Sequence, residues 1–227
     1  MEIRFLGHAA FALEHEGKTV LVDPFLTGNP KAAASADEVS ADAILLTHGH
    51  ADHIGDTVAI AKRTGAPVVA IVELANELSE ELGEGHQVFD PNIGGTVEFD
   101  WGSVRLTPAW HTSTTPKGTV NTPAGLVINL GGQTVYHLGD TGLFSDLQLV
   151  KARDKVDVAL VPIGGHFTMD RHDAVTAVDW VGADVVIPCH YNTFPPIETD
   201  AEAFKSDVES KTKSKVAVLA PGELLSV

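Results

Sequence analysis

Short apolar runs, each closed by glycine, proline or an acid, recur along the chain and alternate with stretches whose apolar residues return every third or fourth position. The first kind reads as strands, the second as helices. Ile3 and Phe5, then Ala10 to Leu13, then Val20 to Val22 predict three short strands, with Gly17-Lys18 as the turn between the second and third. Pro24 lacks an N–H and disfavours helical backbone before it, so the third strand should stop with Asp23 in extended geometry at its end. The segment between Phe25 and Asp42 has turn residues and no period, and reads as a surface loop. Ala43 to Leu46 is continuously apolar, as a strand buried on both faces requires, and Ile54 to Thr64 has helical spacing.

Further along, Pro67 to Val72 reads as a buried strand and Glu73 to Leu82 as a helix, while Val88, Gly94-Gly95 and Val97 to Phe99 suggest short strands. Val104 to Trp110 should be a strand that delivers His111 at its end. Gly125 to Leu130 and Thr134 to Leu138 should pair across a turn at Gly131-Gly132, repeating the layout that ends in Asp23 and here ends in Asp140. Phe144 to Arg153, Arg171 to Val181 and Ala201 to Lys211 read as helices, and Val156 to Val161, Val185 to Ile187 and Val216 to Leu219 as strands. Strands alternating with helices put the chain in the α/β class.

Composition changes this picture only by exclusion. A chain of 227 residues suits one α/β domain, expected to span residues 1–227. With 44% hydrophobic and 20% charged residues it has the balance of a soluble protein, and no apolar run approaches a membrane span. The opening MEIRFLGHAAF has neither a basic head nor an apolar signal core, so it reads as the first strand of a cytoplasmic protein. The single Cys189 cannot form an internal disulfide, agrees with a reducing compartment, and should face the core rather than act as a nucleophile. The formal charge of −16, from 31 acids against 15 Lys and Arg, opposes binding to nucleic acid or anionic membrane. A small-molecule substrate is expected instead, and a homo-oligomer stays open.

The chemistry concentrates directly after Ala43 to Leu46. His48-Gly49-His50-Ala51-Asp52-His53 places four residues of metal-ligand type within six positions, beginning where the strand ends. In extended backbone His48 and His50 point to the same side, so they can share one ion. Asp52 and His53 follow the turn near a helix start and can face a second ion.

In this His-x-His-x-Asp-His motif the chain resembles the metallo-β-lactamase superfamily. Its Gly7-His8-Ala9 opening and its ending His190-Tyr191-Asn192-Thr193-Phe194-Pro195 resemble the group of uncharacterised metal-dependent hydrolases related to ascorbate-6-phosphate lactonase. The resemblance implies a four-layer αββα sandwich of two similar halves, with the site between them at one edge of the sheets. It also implies that His111 completes a first set with His48 and His50, that Asp140 bridges two ions, and that His190 joins Asp52, His53 and Asp140 at the second. Asp23 would lie beneath the loop as an acceptor orienting the ligands. Relatives often carry Asp or Asn around Gly165 and His166, so the chain departs from the pattern there, and His166 either reaches the pocket or caps local structure. With the seven ligand positions filled, His8 and His166 are expected at the pocket rim, acting on substrate.

Two divalent ions are therefore expected, Zn²⁺ first and Mn²⁺ or Fe²⁺ also suited, which would lower the pKa of a bridging water to about 7. Asp52 would bind one ion and also hold or shuttle a proton. The resulting expectation is a metal-dependent hydrolase that uses a metal-bridging hydroxide to cleave a small ester, lactone or phosphoester, with an anionic group suited to the pocket. A phosphodiesterase or nuclease of the same fold and a metal-binding protein without turnover are the alternatives. No G-x-S-x-G elbow or Walker loop supports another reaction class.

Overall fold

The computed structural model describes residues 1–227. The first half runs β1 (Glu2–Gly7), β2 (Ala10–His15), β3 (Lys18–Val22), β4 (Ala43–Leu45), α1 (Ala51–Ile54), α2 (Thr57–Thr64), β5 (Val68–Val69), α3 (Val72–Leu82) and β6 (Val88–Phe89). The second runs β7 (Thr96–Phe99), β8 (Gly102–Pro108), β9 (Ala124–Leu130), β10 (Gln133–His137), α4 (Gln148–Arg153), β11 (Val158–Pro162), α5 (Arg171–Val181), β12 (Val185–Cys189), α6 (Ala201–Lys211), β13 (Lys215–Val216) and β14 (Leu224–Ser226). Two seven-stranded sheets result, in the orders β14-β1-β2-β3-β4-β5-β6 and β13-β12-β11-β10-β9-β8-β7. No helix is long and apolar enough to cross a membrane.

Each sheet has an antiparallel portion that continues into a parallel one, so the halves repeat. In the second sheet the alternation of side chains shows why the strands read as unbroken apolar runs. Val158 and Leu160 enter the core shared with the first sheet, whereas Ala159 and Val161 pack with residues of α4, α5 and α6. Both faces of β11 are therefore dry. On the other side, Ile60 and Ala61 of α2 and Leu74, Ala75 and Leu78 of α3 belong to the larger core with β1 to β5. The order of layers is helix, sheet, sheet, helix.

Strand direction decides where polar residues collect. β1 and β3 are both antiparallel to β2, and β4 is parallel to β3, so the residues after β1, β3 and β4 leave the first sheet at one edge. By the same logic β8 and β10 flank antiparallel β9, and β11 and β12 run parallel to β10. His8, Asp23 and the His48 to His53 loop follow strands of the first set, while His111, Asp140 and His190 follow strands of the second. Carboxyl ends of strands are the usual location of ligand sites in α/β folds.

Several expectations are corrected. The β2–β3 turn is Glu16-Gly17, both with positive φ, as a two-residue hairpin of this kind needs, and Lys18 pairs with His15. Asp23 has φ of 45° rather than extended backbone, because its carboxylate is held by groups described below. The helix expected over Ile54 to Thr64 starts earlier, at Ala51, and breaks at Gly55. There a Cβ would lie 2.5 Å from the Pro24 carbonyl oxygen, and Asp56 accepts the Leu26 and Thr27 N–H groups, so the loop after β3 is tied into the break. Gly94-Gly95 lies in a turn, not a strand, and the helix from Phe144 opens as a 3₁₀ turn at Ser145–Leu147. The last strand of the second sheet is only Lys215–Val216, and β14, not anticipated, returns to pair with β1 of the first.

Candidate metal centre

The loop after β4 is shaped from both sides. Thr47 donates its N–H to Asp23 Oδ1 at 2.8 Å and its hydroxyl to Asp23 Oδ2 at 2.6 Å. The Gly49 N–H donates to Ser113 Oγ at 3.0 Å and to Asn121 Oδ1 at 3.1 Å. A Cβ at Gly49 would stand 2.6 Å from the Asn121 side chain and 2.7 Å from that of Thr115, so glycine is what lets the loop after β8 close over the motif. His50 then stands at the N-terminal boundary of α1, without a side-chain capping bond, and α1 carries Asp52 and His53 in its single turn.

The second sheet brings its residues through equally tight backbone. Gly139, with φ of 67°, would place a Cβ 2.5 Å from the Ala124 carbonyl oxygen, and the next residue is Asp140. Buried His137 accepts the Gly139 N–H on Nδ1 and donates from Nε2 to the Ala9 carbonyl at 3.2 Å, linking the two halves just below the site. The His190 N–H donates to the His8 carbonyl at 2.7 Å across the same divide. His8, Asp23, His190 and Asn192, in or beside the centre, all have positive φ, as do Glu16 in the hairpin and His166 on the loop after β11. At roughly 1–2 kcal/mol per residue, such backbone persists only where surrounding contacts over-determine it.

All seven residues expected as ligands come together. Donor atoms of His48, His50 and His111 lie within 4.8 Å of one another, as do those of Asp52, His53, His190 and His8, and those of His48, His53 and Asp140. Four imidazoles surround one carboxylate oxygen. From Asp140 Oδ2 the Nε2 atoms of His190, His53, His111 and His48 stand at 3.1, 3.4, 3.6 and 4.0 Å. His53 Nε2 and both ring nitrogens of His190 are nevertheless buried with no hydrogen-bond partner. Buried polar atoms without partners are costly, and two of these, the Nε2 atoms of His53 and His190, converge on Asp140 Oδ2.

Burial holds His48, His50 and His111 below the ordinary imidazole value. His8 falls to about 4, burial being the main cause and outweighing its hydrogen bond to Asp52. For His53, burial acts in the same direction but the carboxylates of Asp140 and Asp23 outweigh it and raise the group well above the ordinary value. A positive charge is thus favoured at that nitrogen. Burial would raise Asp140 and Asp52, but the imidazoles of His190 and His53 hold Asp140 well below the usual carboxylate range, and His8 and His53 hold Asp52 down. Neutral imidazoles at His48, His50 and His111 beside ionised carboxylates at Asp140 and Asp52 are the protonation states that metal ligation requires, whereas without an ion the proton on His53 supplies the positive charge between Asp140 and Asp23.

One site residue, His8, does not stand where expected. His8 is not at a rim: it is 1% exposed, with Nε2 at 3.0 Å from Asp52 Oδ2 and Nδ1 at 2.9 Å from Thr193 Oγ1. It is buried because the rings of Phe25, Phe194 and His190 enclose it. His166 is exposed on the loop after β11, where its ring meets Phe167 at 4.5 Å and belongs to none of the three donor groups. Asp23 accepts from His53 Nδ1 at 2.7 Å. Cys189 is fully buried in the core between the sheets. Thr47, Ser113, Asn121, His137, Thr141 and Thr193 support the site and were not singled out from the sequence. Only the placement of Thr47 and Thr193 beside motif histidines was a signal for them.

A family model described as "Beta-lactamase superfamily domain" matches residues 2–190. A protein of Carboxydothermus hydrogenoformans named "UPF0173 metal-dependent hydrolase" is 49% identical over 228 residues, covering 99% of each chain. A solved structure described as Igni18, a novel metallo hydrolase from Ignicoccus hospitalis, superposes with a TM-score of 0.89 at 39% identity, over 99% of this chain and 97% of that one. A metallo-β-lactamase fold protein of Bacillus subtilis, YhfI, superposes with a TM-score of 0.76 at 14% identity over 99% of each chain, which bears on the fold alone.

Proposed function

The chain belongs to the metallo-β-lactamase superfamily, and from that premise we propose that it is a metal-dependent hydrolase acting on a small ester, lactone or phosphoester. The observation that carries this reading is the convergence of partnerless imidazole nitrogens on Asp140 Oδ2. A mixed nitrogen and oxygen donor set fits Zn²⁺, with Mn²⁺ or Fe²⁺ also accommodated. His48, His50 and His111 would hold one ion, Asp52, His53 and His190 a second, with Asp140 shared between them. Ions bound there would polarise the scissile carbonyl or phosphoryl oxygen and activate water.

The chain's own residues set up that chemistry. Donation from His53 Nδ1 to Asp23 leaves Nε2 as the coordinating atom and fixes the ring plane. His8 does the corresponding work for Asp52. Because a carboxylate only accepts, His8 Nε2 carries the proton, and its Nδ1 then accepts the hydroxyl proton of Thr193. This chain of donors pins one oxygen of Asp52, leaving the carboxylate to bind an ion and hold a proton near the reacting group. His8 is thus a positioning residue rather than a substrate contact. His8→Ala is expected to retain both ions by elemental analysis while kcat/KM falls about 10- to 100-fold, with partial recovery in His8→Gln, which can still donate to Asp52. Loss of an ion from His8→Ala would make it a ligand instead.

Protein reconstituted with Zn²⁺ or Mn²⁺ should contain two ions per chain and hydrolyse members of a panel of carboxylic esters, lactones, thioesters and phosphodiesters. Penicillins and carbapenems in the same panel should be poor substrates, since fold and metal centre do not choose the substrate. Fewer than one ion in folded protein, or turnover of none of the panel, would overturn this reading; efficient phosphodiester cleavage alone would favour the phosphodiesterase alternative. The net charge of −16 opposes a polyanionic nucleic acid as substrate.

A further inference from the structure

Large hydrophobic side chains left in solvent are few in this protein: of the five, two lie on the loop after β8 that carries His111 and holds the Gly49 N–H, and a third lies on the turn after β11 that is bonded to Thr141, next to Asp140. Trp110 is 71% exposed and immediately precedes His111. Val120, also 71% exposed, is followed by Asn121, whose side chain holds the Gly49 N–H. Phe167 is 52% exposed at the apex of the turn after β11, edge-on to His166. The other two, Leu149 and Leu224, lie on α4 and β14.

Thr141, the residue after Asp140, ties the two aromatic loops together. Its hydroxyl accepts the Trp110 N–H at 3.0 Å, the Gly142 N–H returns to the Trp110 carbonyl at 3.0 Å, and the Thr141 carbonyl accepts the Met169 N–H at 2.9 Å. The Gly165 N–H in turn bonds the Met169 carbonyl, closing the turn that carries Phe167. Phe144, three residues beyond Thr141, faces Trp110 at 6.5 Å between ring centroids. The backbones that carry Trp110 and Phe167 are therefore tied to the segment that positions Asp140.

We propose that Trp110 and Phe167 form an aromatic subsite on the rim of the metal centre that recognises an apolar, planar group of the substrate, next to an anionic or polarised group at the ions. The proposal rests on the hydrolase reading and narrows its substrate class. Exposed apolar surface beside a polar, histidine-lined centre marks a binding site, and aromatic rings give directional contact with another ring. A second copy of the chain is a less suitable occupant, because each copy carries a charge of −16.

The test uses phenylphosphonate and methylphosphonate, titrated calorimetrically into the Zn²⁺-loaded protein. Both anions can reach the ions, and only the first carries a ring. Phenylphosphonate should bind more tightly, by roughly 2- to 10-fold for each protein ring engaged. Trp110→Ala and Phe167→Ala should each narrow the difference, and the double variant should remove it, with methylphosphonate affinity, metal content and Tm unchanged. Leu224→Ala, on the edge strand β14 of the first sheet, should change neither affinity. Equal binding of the two phosphonates, or a preference that survives the double variant, would overturn the subsite. Binding of neither anion by fully loaded protein would overturn the metal-anion reading beneath it and the subsite with it. A dimer in sedimentation that Trp110→Ala dissociates would assign the rim to a second copy and overturn it as well.

Discussion

Asp140→Ala is expected to leave the reconstituted, folded protein with less than one ion per chain and to lower kcat/KM on any substrate found by roughly 10³-fold or more. Metal charge commonly contributes several kcal/mol at the transition state, and each 1.36 kcal/mol is tenfold, which sets that scale. The effect should be larger than that of any single histidine, because the Asp140 carboxylate lies among donors from both groups: His190 and His53 at 3.1 and 3.4 Å, His111 and His48 at 3.6 and 4.0 Å. In the proposed two-ion centre, removing it would take away a shared ligand and also the negative charge that would compensate two cations. His111→Ala, by contrast, should mainly weaken the ion held with His48 and His50. Elemental analysis of both variants, with a thermal melt to establish that each is folded, separates the two outcomes. Retention of two ions by Asp140→Ala would remove it from the bridging position.

The second large effect is expected at a residue outside the proposed ligand set. Asp23 is fully buried and accepts three hydrogen bonds, from the Thr47 N–H, the Thr47 hydroxyl and His53 Nδ1. Asp23→Ala leaves those donors in a site too dry to replace them with water. Breaking a buried charged pair by removing one partner costs about 3–5 kcal/mol. For a domain of this size each kcal/mol moves Tm by about 2–4 °C, so a fall of roughly 6–20 °C is expected in the metal-free protein. Metal affinity should fall about 10- to 100-fold in addition, because the His53 ring loses the acceptor that orients it. Calorimetry with and without Zn²⁺ measures both. An unchanged Tm would mean that Asp23 does not hold the loop.

Elements whose periodicity is strong and local were legible from the chain alone. Arg171–Val181 and Ala201–Lys211 are helices with the bounds their spacing predicts, each opened by an aspartate, Asp170 and Asp200, whose side chain caps the first turn. The Gly131-Gly132 hairpin and the buried strand at Ala43 also follow directly, since a turn chemistry and a two-faced apolar run need no distant partner to be recognised. Gly55 is a different case. Its break depends on Pro24 and Phe25, which pass close enough to exclude a Cβ, and nothing in the helical spacing of Ile54 to Thr64 reports that approach.

The same division holds at the candidate centre. The sequence by itself determined the ligand-rich loop, because His48, His50, Asp52 and His53 are close in the chain and their grouping survives any fold that ends a strand at Leu45. It also determined that strands would deliver His111, Asp140 and His190, since an alternating segment precedes the first and apolar runs precede the other two. Only the tertiary structure decided that these residues converge, that β14 closes the first sheet against β1, and that His8 lies beneath Asp52 instead of on the rim. The physical reason is that periodicity reports which face of an element is buried, whereas strand pairing, left-handed backbone and the partner of a buried polar atom depend on groups far away in sequence. His8 meets Thr193 across 185 positions, and no local pattern encodes that contact.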